Sequence, residues 1–120
     1  MHELSIAQSV ADVAQRHAAG RTVTRVELRV GHLRQVVPSA LEFAWDLVTP
    51  HTALEGAELR IEEVEAVGRC RACDTRSPLP GFPLRCQACG GLDVEVVQGE
   101  ELLVDTLELE ENTILTGGTT

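Results

Sequence analysis

The first apolar pattern along the chain has the period of a helix. Apolar side chains recur every three or four residues and have small ones beside them: Ile6, Val10 and Val13, with Ala7, Ala11, Ala14 and Ala18. This spacing predicts an amphipathic helix over about residues 4–18. Ser5 with Gln8 fits a capping box at its start, and Gly20 fits a left-handed cap at its end.

A second helical pattern begins at Pro38, a residue that favours the first helical position. Its apolar positions share one face and comprise Leu41, Ala44, Trp45 and Val48. Pro50 cannot continue a helix, so the helix should end before it. The sequence therefore predicts two helices within the first 50 residues.

Strand patterns fill residues 22–30, 57–66 and 102–109. In the first, Val26, Leu28 and Val30 alternate with charged residues, which predicts one buried face and one solvated face. In the last, Leu102 and Val104 are out of phase with Leu107 and Leu109. Either a bulge near Thr106 shifts the register, or the strand is covered on both faces.

These elements predict an α+β fold: a small mixed sheet of about three strands with two helices, plus an inserted four-cysteine, zinc-ribbon-like domain. The α/β domain is predicted to comprise residues 1–66 and 99–112, with the insertion at 67–98 and a flexible tail at 113–120. The length of 120 residues suits one core with a small metal-stapled module.

Four cysteines form two C-x2-C pairs separated by 12 residues: Cys70, Cys73, Cys86 and Cys89. This pattern predicts a closed tetrahedral zinc site, because structural zinc prefers four thiolates supplied by two tight turns. Two disulfides or a redox C-x-x-C remain as alternatives. The first residues do not resemble a secretory signal, so we expect a cytoplasmic protein with reduced thiols.

Charge and hydropathy narrow the classes of partner. The formal charge is −9, which disfavours nucleic-acid binding, and no apolar run is long enough for a membrane span. Four arginines nevertheless surround the cysteines, at positions 69, 71, 76 and 85. We interpret them as compensation for an anionic metal centre, with recognition of a partner's carboxylates as the alternative.

The N-terminal residues offer a second possible metal site. The Met1 amine, the imidazole and backbone nitrogen of His2, and the amide nitrogen of Glu3 could supply four nitrogen ligands, a set that favours Ni(II) or Cu(II). On these residues alone, a chance polar residue at position 2 is the competing interpretation. For the other histidines we expect a partly buried, hydrogen-bonded His17, a turn residue at His32 and an exposed His51.

Several segments together resemble the HypA/HybF family of hydrogenase maturation factors. They are the opening Met1-His2-Glu3-Leu4-Ser5, the strand and turn ending at Gly31, the two C-x2-C pairs, and Gly99-Glu100-Glu101-Leu102. The similarity covers residues 1–111. Asp74 departs from it, because that position of the first cysteine turn often holds glycine.

The resemblance implies a nickel metallochaperone and not an enzyme. It would deliver Ni(II) to the large subunit of [NiFe]-hydrogenase, in some members also to urease, together with a HypB-type GTPase, and would be a monomer or weak homodimer. By resemblance, Met1, His2 and Glu3 bind nickel, and the four cysteines hold structural zinc. A zinc-ribbon interaction module and a thiol redox enzyme are the alternative functions.

Overall fold

The computed structural model describes residues 2–110 and the backbone of residues 114–116. In chain order the elements are α1 (His2–Ala18), β1 (Val23–Gly31), a 3-10 turn (His32–Arg34), α2 (Pro38–Val48), β2 (Glu58–Val64), β3 (Val67–Cys70), β4 (Arg76–Pro78), β5 (Val94–Gln98), β6 (Leu102–Leu109) and β7 (Ile114–Thr116). The α+β class with two helices and an inserted four-cysteine module is confirmed.

The strands form two sheets. The first has four strands in the order β2-β1-β6-β7, one more than the three predicted, and the second has the order β4-β3-β5. The extra strand, β7, pairs antiparallel with β6 at Ile114–Thr116. The prediction of a tail is therefore wrong for residues 114–116, while residues 113 and 117–120 lie outside the described residues.

The chain divides into two compact units. Unit 1 consists of Met1–Arg29, Val36–Glu62 and Leu102–Thr120, and unit 2 consists of Val30–Gln35 and Glu63–Glu101. Unit 1 contains both helices and most of the first sheet. Unit 2 contains the second sheet and all four cysteines.

In unit 1 the two helices pack against each other, and α1 also contacts β6. The predicted apolar stripe of α1 is buried, including all four of its alanines. Small side chains allow this close approach between helix and sheet. Val104, Leu107 and Leu109 of β6 are also buried, whereas Thr106 donates a hydrogen bond to Glu27. The change of phase between Val104 and Leu107 supports a register shift near Thr106.

The structure corrects the predicted start of α1 and confirms its predicted end. The helix begins at His2, so Ser5 lies in its first turn and the predicted capping box is wrong. Gly20 has a φ of +86°, as expected for a left-handed cap. His17 is exposed rather than partly buried. It lies in the last turn of the helix.

On the face opposite their buried side chains, strands β1 and β6 carry ion pairs. Arg25 lies 2.8 Å from Glu108, and Arg29 lies 3.5 Å from Glu62 of β2. These side chains are half-buried or exposed, so each pair contributes little to stability on its own. The predicted polar face is confirmed, and its charges are matched across neighbouring strands.

Trp45 ties α2 to the segment before β2 within unit 1. Its side chain is buried and its indole N–H donates to the carbonyl of Ala57 at 3.0 Å. Trp45→Phe is expected to lower the free energy of unfolding by about 1–3 kcal/mol, because a buried carbonyl loses its donor. Urea unfolding measures this loss. Phe43→Leu, at an exposed position on the same helix, should change the value by less than about 0.5 kcal/mol, and equal effects of the two would contradict the assignment.

Unit 2 has a small core of its own. Leu33, Ala66 and Leu79 are buried, and Leu84, Val94 and Val96 pack against them. Strand β3 pairs antiparallel with both β4 and β5, with a bulge between Val67 and Gly68 on the β5 side.

No helix within residues 2–110 is long and apolar enough to span a membrane.

Candidate metal centres

The four cysteines meet in one cluster in unit 2. The Sγ atoms of Cys70, Cys73, Cys86 and Cys89 all lie within 4.8 Å of one another, and all four thiols are free. The Cys70–Cys89 and Cys73–Cys86 sulfur pairs are each 3.6 Å apart. A disulfide requires about 2.0 Å, so the alternative of two disulfides is not what the structure shows.

These sulfur separations suit a tetrahedral metal ion. A zinc–sulfur distance of about 2.3 Å places the sulfurs of a tetrahedral site about 3.8 Å apart, close to the 3.6 Å found for both pairs. Four thiolates are also the donor set that soft and borderline metals prefer. The residues present therefore fit a closed four-thiolate site with no coordination position left for a substrate.

The two cysteine turns are built alike. The N–H of Asp74 donates to the carbonyl of Cys70 at 2.8 Å, and the N–H of Gly90 donates to the carbonyl of Cys86 at 2.9 Å. Asp74 and Gly90 both have positive φ, +61° and +77°. Aspartate can adopt this left-handed conformation at some cost. The departure at Asp74 thus leaves the shape of the turn intact.

Backbone N–H groups also point at the sulfurs. The amides of Ala88 and Cys89 each lie 3.4 Å from Cys86 Sγ, and the amide of Gly91 lies 3.4 Å from Cys89 Sγ. Such donors favour the thiolate over the thiol. The cluster is therefore arranged to stabilise negative charge on sulfur, which metal binding requires.

The thiols differ in how easily they lose a proton. Hydrogen bonds from the hydroxyl and amide of Thr75 lower the pKa of Cys73 to about 6. The amides of Cys89 and Ala88 lower the pKa of Cys86. The amide of Gly91 acts in the same direction on Cys89, but the three neighbouring thiols outweigh it and raise the pKa of Cys89 to about 11. A cation among the sulfurs would remove this repulsion and favour the thiolate form of all four cysteines.

Two of the arginines near the cluster pair with acids of unit 2. Arg69 lies 2.8 Å from Asp74, and Arg71 lies 2.9 Å from Asp93. Glu95 is within 4 Å of both arginines, at 3.6 and 3.7 Å. The interpretation of these two arginines as compensation for the metal centre alone is therefore incomplete. Asp74 is close in sequence, whereas Asp93 and Glu95 lie more than 20 residues away along the chain, so local charge patterning does not signal their contacts.

The N-terminal residues start helix α1 in unit 1. His2 is its first residue and is exposed, and Glu3 is half-buried. The N–H of Val37 lies 3.4 Å from Oε2 of Glu3, a contact that no sequence pattern signals. Met1 lies outside the described residues. Glu3 is thereby held against the start of α2, while the His2 side chain is accessible to solvent.

The remaining histidines are dispersed. His51 is exposed, as expected, and has a φ of +65°. His32 belongs to the 3-10 turn, and its Nε2 lies 3.0 Å from the carbonyl oxygen of Pro80. Among the described residues, the four cysteines are the only group of three or more histidine, cysteine or acidic side chains placed to hold a metal ion.

Comparison with known proteins shows which family the sequence matches. The family model described as hydrogenase/urease nickel incorporation, metallochaperone, HypA matches residues 1–109. The hydrogenase maturation factor HypA of Geotalea uraniireducens is 49% identical over 110 residues, 92% of this chain and 100% of that protein. HypA of Geobacter sulfurreducens is 44% identical over 110 residues, with the same coverage of both chains.

A solved structure agrees on the fold. The solution structure of the Ni metallochaperone HypA from Helicobacter pylori has a TM-score of 0.62 and 18% identity, covering 99% of this chain and 97% of that one. At this identity the likeness concerns the fold alone, whereas the family model and the relatives concern the sequence. The chain therefore belongs to the HypA family of hydrogenase/urease nickel-incorporation metallochaperones, which are maturation factors and not enzymes.

Proposed function

We propose that the chain binds Ni(II) through Met1, His2 and Glu3 and passes it to the large subunit of [NiFe]-hydrogenase, with urease as a possible further acceptor. The family description supports nickel incorporation. The observation that carries the choice of site is that α1 begins at His2. The proposal also includes a HypB-type GTPase as partner, a monomer or weak homodimer, and a cytoplasmic location.

The start of α1 frees the backbone nitrogens that the site needs. The first four N–H groups of a helix have no carbonyl one turn earlier to bond with. The amides of His2 and Glu3 belong to this group, because His2 is the first helical residue. They are available to a metal without breaking a helical hydrogen bond.

The charge of the bound ion is compatible with this position. A helix N-terminus carries about half a positive charge, which disfavours an added cation. When two amide nitrogens bind Ni(II), both lose their protons, so the net charge added is about zero. Because protons are released, nickel can bind at a helix end where a cation that displaces no protons would be unfavourable. The exposed side chain of His2 also allows the ligands of an acceptor protein to replace the imidazole on the metal.

The cysteine cluster has a different role in this proposal. We assign zinc to Cys70, Cys73, Cys86 and Cys89, because the donor set and sulfur distances fit it. Its chemistry is to cross-link the two turns and fix the fold of residues 67–98. Nickel transfer belongs to the predicted α/β domain, residues 1–66 and 99–112, and within it to the start of α1 in unit 1.

Calorimetric Ni(II) titration of the zinc-loaded protein with a native N-terminus tests the nickel site. His2→Ala is expected to weaken nickel binding at least about a hundredfold. Loss of a group that only supports a ligand already costs about 10–100-fold, and here a ligand itself is removed. His17→Ala is the matched control, since it removes an exposed histidine from the other end of the same helix. Equal nickel affinity for wild type and His2→Ala would refute the site.

The same titration separates the alternatives. A zinc-ribbon interaction module without a transfer role predicts no His2-dependent nickel binding. A thiol redox enzyme predicts reversible oxidation of one cysteine pair with the fold retained. The four free thiols in a single cluster favour metal binding over the redox alternative.

A further inference from the structure

Helix α2 of unit 1 presents a second apolar face, in addition to the one it buries. We call the residues of this face the α2 apolar row: Val37, Ala40, Phe43 and Leu47. Ala40, Phe43 and Leu47 recur every three or four residues, so they follow one another along one side of the helix. Val37 is the residue immediately before the helix. Val37, Phe43 and Leu47 are 53%, 68% and 60% exposed, and Ala40 is half-buried.

The row is distinct from the packing face of the helix. Leu41, Ala44 and Trp45 are buried against the interior of unit 1. The chain has only two phenylalanines, and one of them stands in the row with most of its ring in solvent. Contiguous exposed apolar side chains of this kind mark interaction surfaces.

An acidic row runs beside the apolar one. Glu42 and Asp46 are exposed, and each immediately precedes an apolar member of the row, Phe43 and Leu47. Adjacent helical residues are about 100° apart around the axis, so the two rows are parallel neighbours. The helix contains no lysine or arginine to offset these acids. The charge that complements this surface is therefore positive.

We propose that the α2 apolar row is a docking surface for an amphipathic helix of a partner protein that carries basic residues beside its apolar face. Phe43 and Leu47 are the apolar anchors, and the carboxylates of Glu42 and Asp46 pair with the basic residues of the partner helix. Helices recognise such surfaces by apolar anchors spaced three or four residues apart. This proposal goes beyond the nickel site and stands without it, because it rests on α2 alone.

The surface adjoins the N-terminal segment of unit 1. The amide of Val37, at one end of the row, lies 3.4 Å from the Glu3 carboxylate. A helix docked on the row therefore reaches the segment that contains His2. Should that segment bind nickel, the docked partner is placed beside the ion.

Two other occupants fit the charges less well. A second copy of this chain would bring two acidic rows together, in a protein with a formal charge of −9, and like charges across an interface are unfavourable. An anionic membrane surface is excluded by the same acids. A partner with positive charge gains both the apolar contact and the electrostatic one.

Fluorescence anisotropy with a designed peptide tests the proposal on nickel-free, zinc-loaded full-length protein. The probe is a labelled helical peptide with leucines on one face and lysines on the other, and its matched control replaces lysine by glutamate. The protein is expected to bind the leucine–lysine peptide in preference to the control. Phe43→Ala is expected to raise the dissociation constant at least about tenfold, because exposed aromatic anchors dominate such interfaces.

Three protein variants sharpen the result. Phe82→Ala is the matched control, because Phe82 is 62% exposed but lies in unit 2; it should bind like wild type. The double variant Glu42→Gln, Asp46→Asn should weaken binding and reduce its dependence on salt. Circular dichroism verifies that Phe43→Ala remains folded, as its exposure predicts.

Several outcomes would overturn the proposal. They are equal affinity of the Phe43→Ala and Phe82→Ala variants, preference for the leucine–glutamate peptide, Phe43-dependent self-association in sedimentation, and Phe43-dependent binding to phosphatidylglycerol vesicles without peptide binding. Because nickel is absent throughout, failure of the nickel site would leave this result unchanged, and the reverse also holds.

Discussion

Removal of the metal from the four-thiol cluster is expected to unfold unit 2 while unit 1 remains folded. The buried core of unit 2 is small: Leu33, Ala66 and Leu79 lie at its centre, and the partly buried Leu84, Val94 and Val96 pack against them. Ordering the backbone costs about 1–2 kcal/mol per residue, and a core of this size is not expected to offset that cost for the whole unit. Structural zinc contributes about 10–16 kcal/mol in comparable small domains, so it should decide whether unit 2 folds.

Amide NMR spectra measured before and after chelation report on the two units separately. Signals from Glu63–Glu101 are expected to lose dispersion, and signals from α1 and α2 to keep it. Cys70→Ser, which removes a buried thiol of the cluster, should reproduce the chelated spectrum even with zinc present. Arg71→Ala, at the next position, should not. A dispersed unit 2 spectrum in the metal-free protein would contradict the structural role of the metal.

Gly31→Ala is expected to lower the free energy of unfolding of unit 2 by about 3 kcal/mol or more. A Cβ on Gly31 would overlap the backbone of Gly99 and Glu100. These backbone atoms cannot rotate away as a side chain would, and even ordinary overpacking costs about 1–3 kcal/mol. The two segments are also joined by backbone hydrogen bonds from Gly31 to Glu101 at 2.7 Å and from Leu33 to Gly99 at 2.9 Å.

Gly81→Ala is the matched control for this substitution. A Cβ on Gly81 would have nothing within 4 Å, so its effect should stay within about 0.5 kcal/mol. Denaturant unfolding monitored through unit 2 amides compares the two variants with wild type. Similar unfolding midpoints for Gly31→Ala and Gly81→Ala would mean that the close backbone approach does not constrain the fold.

Local periodicity was enough to predict the helices and the principal strands. The buried face of α2, with Leu41, Ala44 and Trp45, follows directly from spacing, and so does the buried stripe of α1. The start of α1 was predicted wrongly, since a capping box at Ser5 is a local signal that competes with helix formation upstream. The helix instead extends to His2, a difference that places His2 and Glu3 in its first turn.

Non-local features could not be read from the pattern. Strand β7 is three residues long, too short for alternation to be visible, and it exists through its pairing with β6. The ion pair between Arg71 and Asp93 and the contact between Glu3 and Val37 likewise join residues that are far apart in sequence. The cysteine cluster was predictable because its spacing itself carries the chemistry, whereas the exposed face of α2 emerged only when burial was known.

The four cysteines of the cluster differ in their exposure to solvent, and this difference affects how a bound metal ion would exchange. Cys70 and Cys86 are buried, whereas Cys73 and Cys89 are exposed. Attack by a chelator or a competing thiol is therefore expected to begin at the exposed pair, because a small molecule can reach Cys73 and Cys89 directly. A site that holds its ion tightly at equilibrium can thus have a directional exchange route, with Cys70 and Cys86 releasing the metal last.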